Sequence, residues 1–316
     1  MKQFYSSNDV SNLNELVLLA NGMKANPLKY RSLGEGKLIV MLFFNASLRT
    51  RLSTQKAAMN LGMQVISMDM KESWAWEFQD GQVMDTDKAE HIKEAAAVIS
   101  SYADIIAIRS FPKLENREED YSDHVIRTFI KYSTKPVINM ESAIRHPLQS
   151  LADIMTIENN KKSDLPKIVL TWAPHPKALP QAVSNSFLEW TNAAGYPVIV
   201  THPENYELDE SFMQGHHLEY NQEKAFKDAD FVYVKNWSST KPYGQRLCND
   251  SSWKVDLKKL QLTNNARLMH CLPVRRNVVI ADDAMDSNHS VIPELAENRL
   301  HTAQAVIYKI LKEYGV

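Results

Sequence analysis

The chain reads as an α/β protein of two domains, each a mostly parallel sheet flanked by helices, joined by interdomain helices. Three observations predict this. The 316 residues exceed the ~100–200 usual for one domain. Short apolar runs of strand length alternate with longer helix-compatible stretches. The runs also fall into two sets of four, so the βαβ rhythm occurs twice.

The first set is Leu38–Phe44, Val65–Met68, Ile105–Arg109 and Val137–Asn139. The second is Ile168–Trp172, Val198–Thr201, Phe231–Val234 and Leu268–Cys271. Helices are expected over Ser47–Leu61, Glu90–Tyr102, Pro147–Asn159, Pro180–Ala194 and Pro293–Tyr314. The helix starting near Pro147 is the expected bridge, where a proline suits the first helical turn. Residues 1–145, completed by 293–316, then form the first domain, and 146–292 the second.

Bulk composition excludes several classes of function. Hydrophobic residues make up 44% and charged residues 23%, a globular balance. A net charge of −2 leaves no basic footprint for nucleic acid. No apolar run approaches the ~20 residues of a membrane span. The opening MKQFYSSNDVSNLNE lacks the apolar core of a signal peptide, and only Cys248 and Cys271 occur. A cytoplasmic protein is expected, with no cofactor and no metal: His216-His217 and Asp282-Asp283 lack ligand spacing.

In parallel sheets ligands sit at the carboxyl ends of strands, so polar residues there carry most weight. NASLRTR follows the first apolar strand and leads into a helix. Ser47, Arg49 and Thr50 at a fresh helix N-terminus, with its free N–H groups, suit a phosphate. Walker and Rossmann glycine patterns are absent, so a nucleotide is disfavoured. Arg109 closes another strand, His146 and Gln149 lie where the bridging helix begins, and Cys271 ends the last strand.

With those residues in place, the sequence resembles the aspartate/ornithine carbamoyltransferase family. The resemblance rests on Ser47-Leu48-Arg49-Thr50-Arg51, His146-Pro147-Leu148-Gln149 and His270-Cys271-Leu272-Pro273, in the family's order and wide spacing. It implies a carbamoyl-phosphate domain, an amino-acid domain, and a homotrimer with active sites shared between subunits. The Asp-x-x-x-Ser-Met-Gly loop of ornithine enzymes is missing; that region reads KNWSSTKPYGQRLCND. With KESWAWEFQDGQVMD, TWAPHPKALPQAV and MHCLPVRRN, the chain is similar to the branch that carbamoylates N-acylated ornithine. An acylated α-nitrogen carries no charge, which accounts for the lost loop.

Within that branch, the acetyl enzymes have a glutamate before a Glu-His pair and the succinyl enzymes a proline; here Ala89 precedes Glu90-His91. The acetyl branch also has a lysine three residues after paired arginines, where this chain has Val279. The implied acceptor is N-succinylornithine, with N-acetylornithine or a non-catalytic anion-binding relative as the alternatives.

By the resemblance, Ser47, Leu48, Arg49 and Thr50 cradle the phosphate, and Trp74 from a neighbouring subunit closes over it. Arg109, His146 and Thr50 address the carbonyl oxygen. Gln149, after Pro147 and Leu148, and the backbone at Cys271–Leu272 hold the carbamoyl amide, and Arg299 reaches back to the ligand. The departing phosphate can accept the amine's proton, so a dedicated base is optional. Glu141, His175, Lys235 and Arg275 are assigned to the acylornithine, with Arg276 and Lys177 as alternative cations.

Overall fold

The run LIVMLF at residues 38–43 is buried almost throughout, as a strand covered on both faces requires. The computed structural model that contains it describes residues 1–315. The chain divides into two units. The first comprises Met1–Pro112, Glu118–Leu148 and the chain from Arg299 onward; the second comprises Lys113–Arg117 and Gln149–Asn298. The helices Pro147–Asn160 and Ile292–Tyr314 carry the chain from one to the other.

In the first unit the strands are β1 (Gln3–Phe4), β2 (Leu38–Phe43), β3 (Gln64–Asp69), β4 (Trp76–Glu77), β5 (Glu90–His91), β6 (Ile105–Arg109) and β7 (Val137–Glu141). Five make one parallel sheet in the order β1-β7-β6-β2-β3. The edge strand β3 alternates exposed and half-buried residues, whereas β2, β6 and β7 are buried nearly throughout. Strands β4 and β5 form a separate parallel pair. Ile92, Ala96, Ile106, Ile126 and Phe129 build the core on one side of the sheet.

In the second unit, β8 (Ile168–Trp172), β9 (Val198–Thr201), β10 (His217–Leu218), β11 (Phe231–Lys235) and β12 (Arg267–Met269) form a parallel sheet in the order β10-β9-β8-β11-β12. Its core includes Val169, Phe226, Val232, Leu260, Leu268 and Ile280.

Each sheet thus has five strands where the sequence pattern predicts four. The additions, β1 and β10, are two residues long, too short for an apolar period to register. Glu90 lies in β5, and the helix expected from it begins at Ile92 behind a His91 cap. The last strand ends at Met269, so His270 and Cys271 belong to the following turn.

Both sheets have a point where successive connections leave in opposite directions. In the first, the chain goes from β2 out to β3 and returns to the other side of β2 as β6. In the second it goes from β8 to β9 and β10, then returns beside β8 as β11. The crevice at the carboxyl ends there is the default ligand site of such sheets.

The chain from Arg299 onward packs within the first unit. Gln304 Oε1 accepts from Asn60 Nδ2 at 3.1 Å, and Gln304 Nε2 donates to the Pro27 carbonyl at 2.7 Å. Nearby, Lys309 meets Glu15 at 2.6 Å, and the Met1 amino group donates to Glu313 at 2.7 Å. Among the described residues, no helix is long and apolar enough to cross a membrane, and no cluster of His, Cys, Asp and Glu is placed to hold a metal.

Candidate active site

The switch point of the first sheet carries a buried polar cluster. Phe43 of β2 pairs with Arg109 of β6, and the register shift at Ile108/Arg109 sets Arg109 opposite Glu141 of β7. Arg109 Nε and Nη2 donate to Glu141 Oε2 at 3.1 and 2.9 Å. Its Nη1 donates to the Ala46 carbonyl at 2.6 Å and reaches Asn45 O at 3.5 Å. Of the five guanidinium N–H groups, one on Nη2 is left over among the described residues. The plane also stacks over Phe111 at 4.2 Å. His146 Nε2 lies 3.4 Å from the same Glu141 oxygen. One carboxylate oxygen therefore gathers two candidate electrophilic groups.

Ala46 belongs to the loop leading into the helix Arg49–Asn60, which starts two residues later than the apolar pattern suggests. Ser47 is half-buried and Leu48 exposed. Thr50 is buried, and its Oγ1 accepts from Arg299 Nη2 at 2.7 Å. Arg51 is held over the Phe43 ring at 4.4 Å. Gly62 ends this helix with φ +88 and turns the chain into β3; a side chain there would strike the Arg31 carbonyl.

The loop after β7 is pinned from beneath. Asp123 accepts from Tyr5 Oη at 2.8 Å, Ser142 Oγ at 2.7 Å and Ala143 N at 2.9 Å. Burial pushes its carboxyl above the usual range, against the pull of these donors. The contacts fix the turn between Glu141 and His146.

Trp74 is 62% exposed, and its indole N–H donates to Glu90 at 2.8 Å. Lys88 pairs with Glu77 at 2.8 Å. Ala89 is exposed between these two links, its N–H bonded to the Ala75 carbonyl.

In the second unit Gln149 and Cys271 are buried. Leu272 has φ 55, a left-handed conformation that costs a branched residue energy and that clusters at functional positions. Its N–H donates to His270 Nδ1 at 2.8 Å. At the switch point of this sheet, Lys235 closes β11 opposite Trp172 of β8, and His175 follows β8. His175 Nε2 accepts from Arg275 Nε at 3.2 Å, and its Nδ1–H donates to the Lys177 carbonyl at 2.9 Å. Burial and then the charges of Arg275, Lys235 and Lys177 hold its pKa below the ordinary histidine value, so it is neutral at pH 7. Arg276 is tied to Asp282 and Asp286 at 2.9 and 2.7 Å on the surface, leaving Arg275 as the arginine beside His175. Val279 is a core residue with no polar reach.

The structure therefore groups Thr50, Arg109, His146 and Arg299 with the loop at residues 45–48 in the first unit, and His175, Lys235 and Arg275 in the second. Glu141, assigned from sequence to the second substrate, is placed in the first unit against Arg109 and His146. Sequence reasoning missed Asp123, the clamp beneath the loop, and Asp153, one helical turn after Gln149; that spacing was a readable signal.

Known proteins resemble this chain along nearly its whole length. Residues 2–159 match the aspartate/ornithine carbamoyltransferase carbamoyl-P binding domain, and residues 180–310 match the Asp/Orn binding domain. The chain is 49% identical over 315 residues to the N-succinylornithine carbamoyltransferase of Bacteroides fragilis (strain 638R), covering 99% of both chains. It is 37% identical to the N-acetylornithine carbamoyltransferase of Xanthomonas axonopodis pv. citri (strain 306), covering 100% of this chain and 98% of that one. A crystal structure of acetylornithine transcarbamylase complexed with acetylcitrulline superposes with TM-score 0.93 at 37% identity, covering 98% and 99% of the two chains. A glutamate-to-proline mutant of N-acetyl-L-ornithine transcarbamylase, complexed with carbamyl phosphate and N-succinyl-L-norvaline, gives 0.92 with coverage of 98% and 100%. The chain belongs to the aspartate/ornithine carbamoyltransferase family.

Proposed function

We propose that this transferase moves the carbamoyl group of carbamoyl phosphate to the δ-amine of N2-succinyl-L-ornithine, giving N-succinylcitrulline and phosphate in arginine biosynthesis. The observation that carries the acceptor is the 49% identity to a succinylornithine enzyme, against 37% for an acetylornithine enzyme. Charge supports it: Arg275, Lys235 and Lys177 all act on His175, and a succinyl acceptor brings two carboxylates.

The neutral amine attacks the carbonyl carbon, and the tetrahedral intermediate expels phosphate. Ser47, Leu48, Arg49 and Thr50 bind the phosphate through helix N–H groups, the Thr50 hydroxyl and the arginine. Trp74, from a neighbouring subunit, completes that subsite. The spare Arg109 N–H and His146 stabilise the developing oxyanion. Donors fixed in advance are effective because they do not reorganise during reaction. Glu141 supplies that fixity, since its oxygen holds Arg109 and lies beside His146. Gln149 and the backbone at Cys271–Leu272 hold the carbamoyl amide. Lys235, Arg275 and His175 hold the acceptor's carboxylates.

A homotrimer in the cytoplasm is part of the reading. Exposed apolar side chains include Leu48, Leu52 and Met59 along the helix that follows β2, Ile66 and Met68 on the adjacent edge strand β3, and Trp74, a surface that calls for a partner. Light scattering of the purified protein tests the trimer.

The activity test is product formation from carbamoyl phosphate with N-succinylornithine, N-acetylornithine, ornithine and putrescine. N-succinylornithine should give the highest kcat/KM; faster turnover of another amine overturns the acceptor, and no turnover overturns the reaction. Ala89→Glu should shift preference towards the acetyl substrate by placing a carboxylate against the succinate; unchanged preference moves the discriminator elsewhere.

A further inference from the structure

We propose that Asp153, backed by Tyr233, fixes which way the Gln149 amide faces and thereby makes the carbamoyl subsite reject an acetyl group. The inference rests on Gln149 holding the carbamoyl amide, as proposed above.

Gln149 and Asp153 are both fully buried in the second unit, one turn apart on the helix Pro147–Asn160. Gln149 Nε2 donates to Asp153 Oδ1 at 2.8 Å, and Gln149 Oε1 meets no hydrogen-bond partner among the described residues. An ionised carboxylate only accepts, so it selects the amide nitrogen and leaves the amide oxygen to face elsewhere. A buried acceptor without a donor is costly, and that cost is relieved when a ligand N–H arrives. A carbamoyl group brings that N–H. An acetyl group of nearly the same shape presents a methyl and leaves the oxygen unsatisfied.

Tyr233 sustains the bias. It is fully buried on β11, stacked on Phe187 with ring centroids 4.5 Å apart. Burial, then the charge of nearby Asp153, pushes its hydroxyl pKa well above the ordinary value, so it stays a protonated donor, the form able to support a charged Asp153. Were residue 153 an amide, it could meet Gln149 with either its oxygen or its nitrogen, and the glutamine would be free to turn over. Asp153 and Tyr233 are positioning residues, acting on the ligand only through Gln149.

The test measures the Ki of acetyl phosphate against the KM of carbamoyl phosphate in the full-length enzyme and in Asp153→Asn, Tyr233→Phe, Gln149→Ala and the Gln149→Ala/Asp153→Asn double variant. Asp153→Asn should shrink the Ki/KM ratio by about tenfold or more, the scale of one buried hydrogen bond. Tyr233→Phe, which keeps the stacked ring, should shrink it less, and serves as the test if Asp153→Asn does not fold. The double variant should match Gln149→Ala alone, an equality that a general loss of packing would not produce. If Gln149→Ala narrows the ratio while Asp153→Asn and Tyr233→Phe leave it at the unmodified value, the orientation role is overturned and the amide-holding role stands. If Gln149→Ala also leaves it unchanged, both fall.

Discussion

The switch points of the two sheets are built differently. In the first, Arg109, Glu141, His146, Thr50 and Arg299 are buried and most are already bonded to one another. In the second, Lys235 and His175 are half-buried and Arg275 is exposed, with a single 3.2 Å contact joining the last two. A rigid, prepaid geometry suits a small donor that never varies and a transition state whose charge always appears in one place. A looser cationic rim suits an acceptor with a flexible tail. The first unit thus holds its polar groups in fixed geometry, whereas the second presents loosely held charge.

The strongest way to break this contrast is Arg109→Ala. Turnover should fall by roughly a hundred- to a thousandfold, as for loss of a fixed oxyanion donor. Stability in urea should fall by about 3–5 kcal/mol, because Glu141 is left buried without its main partner. A variant as stable as the parent shows that the cluster is not the rigid element described.

Glu141→Gln sharpens the comparison further. If Glu141 serves Arg109 and His146, kcat falls and the melting temperature drops while the KM for the acceptor stays put. A rise in acceptor KM alone would return Glu141 to the second substrate. Arg275→Ala should do the reverse, raising the acceptor KM by roughly tenfold to a hundredfold, the range for one hydrogen bond to a charge. Its stability should change by less than about 0.5 kcal/mol, as for other surface positions.

The smallest effect concerns pH. Burial holds His175, His202 and His216, all in the second unit, below the ordinary histidine value. As pH falls below about 6.5, the unfolded chain takes up protons that these native rings refuse, so stability declines on acidification. His202→Gln should flatten the fall in melting temperature between pH 7.5 and 5.5; an unaltered slope assigns it to other groups.

Much of this was legible from sequence. Long apolar runs located the central strands within a residue or two, and strand ends pointed to Arg109, His175 and Lys235. The remainder depends on register and on distant contacts. Nothing local reveals that Glu141 faces Arg109, which follows from a register shift between β6 and β7. Thr50 and Arg299, bonded to each other, lie 249 residues apart. Ala89 is exposed, and the bond from its N–H to the Ala75 carbonyl joins two stretches whose pairing no local pattern announces.

The contact between the Met1 amino group and Glu313 ties residue 1 to the helix Ile292–Tyr314. A covalent bridge engineered between residues 1 and 313 would make that contact permanent. Refolding of the bridged and unbridged proteins, compared side by side, would reveal whether the first sheet can assemble before that helix has docked.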